Sequence, residues 1–125
     1  SGTGVSAYVV TGAGSVRTAI TFAPSDAYAR FVSDKPAYAA TEYDPDNNRF
    51  LFYAAQPGAA DRIYVIKPSS GTVWDMSLLP LHGSSVTPVD AGLGGLLNKF
   101  RYVPTLKGFV LMTSTVNNLY FLRTA

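Results

Sequence analysis

The side chains of this 125-residue sequence that could carry out chemistry are few and scattered. His82 is the single histidine, with Ser84 and Ser85 beside it. A serine nucleophile needs a base at hydrogen-bond distance and a sharp turn to expose it, and no Gly-x-Ser-x-Gly elbow occurs. There is no cysteine, so thiolate metal sites, cysteine nucleophiles and disulfides are excluded, and one histidine cannot build a multi-histidine zinc site. Asp44-x-Asp46-x-Asn48 occupies the first three ligand positions of a calcium loop, but Arg49 stands where the loop needs glycine and Ala55 where it needs glutamate. The segment therefore reads as an Asx/Pro turn between two strands. Asp26, Asp34, Glu42, Asp44, Asp46, Asp61, Asp75 and Asp90 offer carboxylates for paired acid–base work, yet several sit beside Pro, Asn or Gly, where turns place solvated acids. Gly92-Leu-Gly-Gly95 lacks both a dinucleotide fingerprint and a Walker lysine, and reads as connector. No catalytic residue, metal site or cofactor is assigned.

What remains is recognition. Trp74 and Tyr64 present amphipathic rings of the kind that stack on sugars, and His82 can contact a ligand from a loop, so these three are the candidate ligand-binding residues. Arg49, Arg62, Arg101 and Arg123 flank apolar runs, where pairing with turn acids is the expected role.

The elements that must position these residues are strands. Apolar residues make up 47% and charged residues only 14%, which demands a buried core and excludes disorder. Eleven Gly and eight Pro break the apolar runs too often for long helices. One domain, or part of one, fits the length. The formal charge of +2 is spread without a basic stripe, which argues against nucleic acid, and no apolar run reaches a membrane span. Secreted β proteins also do without cysteine, and the expected location is extracellular or periplasmic. The Ser1-Gly2 start without Met is expected for a trimmed or partial chain.

Residues 5–10 and 17–22 form a hairpin around Gly12-Ala-Gly14, followed by a connector with a short helix over 27–32; together residues 1–36 are an N-terminal hairpin and connector. Residues 37–78 carry four apolar runs separated by Asp44-Pro-Asp-Asn-Asn48, Gln56-Pro-Gly58 and Lys67-Pro-Ser-Ser-Gly71, the pattern of an antiparallel meander. After a Gly/Pro/Ser-rich connection, residues 98–125 restart the pattern. Tyr43-x-Pro45 with Phe50 is matched 59 positions later by Tyr102-x-Pro104 with Phe109, and Phe50-Leu-Phe-Tyr53 by Phe109-Val-Leu-Met112. After a gap of three, Ile63-Tyr-Val65 is matched by Leu119-Tyr-Phe121. Two such copies are what a repeated unit leaves in sequence, each burying its faces against its neighbours.

With Tyr43-Asp-Pro-Asp-Asn-Asn-Arg-Phe50 and Pro68-Ser-Ser-Gly-Thr-Val-Trp74 in view, the chain resembles β-propeller blades of the kelch-like and PQQ-like kind. It lacks the paired glycines of kelch repeats, and Ser69 stands where a sialidase-type box has Asp. The resemblance implies an all-β fold of antiparallel meanders, with a self-contained β-sandwich or barrel as the alternative. It implies a non-catalytic binding or scaffold module whose ligand is protein or glycan; the alternative is a C-terminal piece of a secreted propeller enzyme whose catalytic residues lie elsewhere. The implied partners are copies of the chain or the missing blades of a parent protein. Residues 5–10 are expected to supply the missing outer strand beside the last one.

Overall fold

The computed structural model describes residues 5–9, 16–59, 61–80, 88, 96–113 and 119–123, with residues 5–9, 16 and 17 by backbone alone. The fold is all-β in antiparallel meanders. Strands β1 (Val5–Val9), β2 (Val16–Phe22), β3 (Ala40–Asp44), β4 (Arg49–Tyr53), β5 (Ile63–Lys67) and β6 (Val73–Leu78) form one sheet in the order β1-β2-β6-β5-β4-β3, which curls into a half-barrel. Strands β7 (Phe100–Val103), β8 (Gly108–Leu111) and β9 (Tyr120–Arg123) form a second sheet. One helix, α1 (Asp26–Asp34), and a short 3-10 turn (Pro104–Leu106) complete the described elements.

The four runs of residues 37–78 become β3 to β6, paired antiparallel in chain order. The expected placement of residues 5–10 beside the last strand is not what the structure shows. β1 pairs with β2, and β2 joins β6 in parallel through Thr21–Val73 and Phe22–Trp74, so the hairpin extends the first sheet. The reason is burial: this register puts Ile20 and Phe22 into an apolar cluster with Phe31, Tyr64, Ile66 and Met76.

The helix is specified locally. Ser25 caps its N-terminus, its Oγ accepting from Tyr28 N (3.0 Å) and donating to Met76 O (3.2 Å), which staples the helix to β6. Lys35 ends it in the left-handed conformation (φ 46°), its N–H bonded to Phe31 O. Phe31 then sets its ring edge-on to Phe52 and Tyr64 at centroid distances of 5.4 and 5.2 Å.

The two hairpins matched in sequence share one register. Tyr43 pairs with Phe50 as Tyr102 pairs with Phe109, and Phe50 with Ile66 as Phe109 with Leu122. Their backbones also agree where chains seldom go: Tyr38 (φ 52°) and Leu97 (φ 46°) stand 59 apart in the left-handed region, as do Asn48 (φ 48°) and Lys107 (φ 49°). Tyr38 O accepts the N–H groups of both Leu96 (3.0 Å) and Leu97 (3.2 Å), so the two unit entries are tied together.

Strand alternation gives each sheet two faces. On the first sheet, Ala40, Leu51, Tyr53, Ile63 and Val65 form the front, and Phe50, Phe52, Tyr64, Ile66 and Met76 the back. The back packs on α1 and β2. The front packs with Phe100, Phe109 and Leu111 of the second sheet, flanked by Tyr102, Tyr120 and Leu122. Those residues are the positional equivalents of the first sheet's back. The front of one unit therefore meets the back of the next. This explains why Ile63-Tyr-Val-Ile66 is an unbroken apolar run: β5 is buried on both faces.

Candidate functional site

The densest polar cluster lies where the C-terminal end of α1 meets β5. Arg62 Nε donates to Asp34 Oδ2 at 2.9 Å and Nη2 to Oδ1 at 3.4 Å, a two-point pairing that fixes the guanidinium plane. The Tyr64 hydroxyl donates to the same Oδ2 at 2.5 Å, and Gln56 Nε2 to the Asp34 carbonyl at 2.7 Å. Pro36, Ala54 and Ala59 complete the lining of a shallow hollow here. Burial, and then the hydrogen bond to the Asp34 carboxylate, pushes the Tyr64 phenol well above its ordinary range. A phenol so held is a fixed donor and a poor proton carrier near neutrality. The carboxylate is engaged by three N–H or O–H groups, so the cluster latches helix to sheet.

A second cluster organises the β3–β4 turn. Asp44 is fully buried, its Oδ2 accepting from Arg49 Nε (2.8 Å) and Asn47 Nδ2 (2.9 Å), while Oδ1 has no partner. The sequence reading of a solvated turn acid fails here because Asp44 alternates onto the front face, under the second sheet. The Tyr43 hydroxyl donates to Asn48 Oδ1 at 2.7 Å, and Lys67 Nζ to the Asn47 carbonyl at 2.9 Å. Two links cross to the second sheet: the Tyr102 hydroxyl donates to Asp46 Oδ2 at 2.6 Å, and Arg101 pairs with Glu42 at 3.0 Å. The hydrogen bond to Asp46 is the chief reason the Tyr102 phenol is pushed up to about 12. Three of the four arginines thus meet acids, at Asp44, Asp34 and Glu42.

Two of the three ligand-binding candidates, Tyr64 and Trp74, belong to one apolar cluster under α1. Tyr64 is buried, with its hydroxyl spent on Asp34. Trp74 is partly buried against the cluster under α1, and its indole N–H donates to Gly71 O at 2.9 Å, closing the β5–β6 turn. His82 lies outside the described residues. Among the described residues no three acids or histidines converge as a metal site, and no helix is long and apolar enough to cross a membrane. What sequence reasoning missed is the front of the second sheet, where Val110, Met112, Leu119 and Phe121 gather. The signal for it was present in the residue types at those positions, but reading it required knowing which face of the unit is covered.

No protein family, curated protein or solved structure matches this chain.

Proposed function

We propose that the chain is a non-catalytic scaffold or binding module built on propeller-type sheets, with a protein surface as its ligand. The observation that carries this reading is that its two units stack front to back in one register while the acids of the described polar clusters are engaged by neighbouring side chains. Asp34 is spent on Arg62 and Tyr64, Asp44 on Arg49 and Asn47, and Asp46 on Tyr102. An enzyme site of comparable size would hold a nucleophile or acid–base pair facing a cleft. Of the two aromatic candidates for a glycan site, the Tyr64 ring is buried and the Trp74 ring is packed against the cluster under α1.

Turnover and sugar binding test the reading together. The chain is assayed with chromogenic glycosides, esters and phosphate esters, and against an immobilised glycan panel. The expected result is neither turnover nor glycan retention. Turnover abolished by Asp34→Asn in a protein that keeps its β circular dichroism would overturn the reading in favour of an enzyme. Glycan retention lost in Trp74→Ala would overturn it in favour of a lectin-like module.

A further inference from the structure

We draw no further inference here: the strongest candidate, the open front of the second sheet around Val110, Met112, Leu119 and Phe121, carries nothing because nothing in the structure shows what covers it.

Discussion

Ile63 and Leu119 occupy the same position in the two units, yet the first is sealed between sheets and the second lies open. Truncating each to alanine therefore separates the effect of unit stacking from the effect of residue type. Ile63→Ala removes three carbons from full burial, about 2.4 kcal/mol of transfer at roughly 0.8 kcal/mol per carbon. The cavity left between two sheets, neither free to collapse, raises the cost to about 3–4 kcal/mol. Leu119→Ala removes carbons already largely in water and costs less than about 1 kcal/mol. For a domain of this size 1 kcal/mol moves the midpoint by about 4 °C, so the two variants are expected to lose about 12–16 °C and under about 4 °C. Calorimetry reads both midpoints. Equal losses at the two positions would refute the stacking of the second sheet on the front of the first.

Gly108→Ala is expected to cost about 1–3 kcal/mol in urea unfolding, because the new methyl meets the Leu122 carbonyl as well as the movable Phe121 ring; a neutral result would mean that β8 and β9 do not approach this closely. Tyr64→Phe is expected to cost about 1 kcal/mol at pH 7. The Tyr64 phenol is raised in the folded state, so its contribution is fully present below pH 10 and is lost as pH climbs towards the folded value. The variant should therefore lose less stability than the wild type above pH 10, and parallel curves would count against the Asp34 bond. Asp44→Ala is expected to cost about 3 kcal/mol by leaving Arg49 facing a buried hollow; a change below about 0.5 kcal/mol would show the turn acid to be solvated after all.

The strands were legible because their punctuation is chemical. Asp44-Pro-Asp-Asn-Asn48 announces a reversal, and the left-handed Asn48 is the residue type that tolerates it. The Tyr43-to-Phe50 and Tyr102-to-Phe109 intervals held the pairing register of both hairpins. The parallel contact of β2 with β6 was not legible, since it joins segments some 50 residues apart (Thr21 to Val73) through backbone bonds that leave no periodicity. Tyr38 and Leu97 gave no warning of their left-handed backbone, because neither type favours it. At the level of the site, residue types alone made Trp74 and Tyr64 look available. Only the structure shows their polar atoms committed to Gly71 and Asp34.

Ring-to-ring nuclear Overhauser effects read directly which face of the first sheet receives the second. Tyr53, on the front, stands edge-on to Phe100 at a centroid distance of 5.7 Å, while Phe52, its neighbour on the back, meets Phe31. Cross-peaks between the Tyr53 and Phe100 rings and between the Phe52 and Phe31 rings, with none between Phe52 and Phe100, are the expected result. Cross-peaks from Phe100 to Phe52 would seat the second sheet on the wrong face and contradict the account.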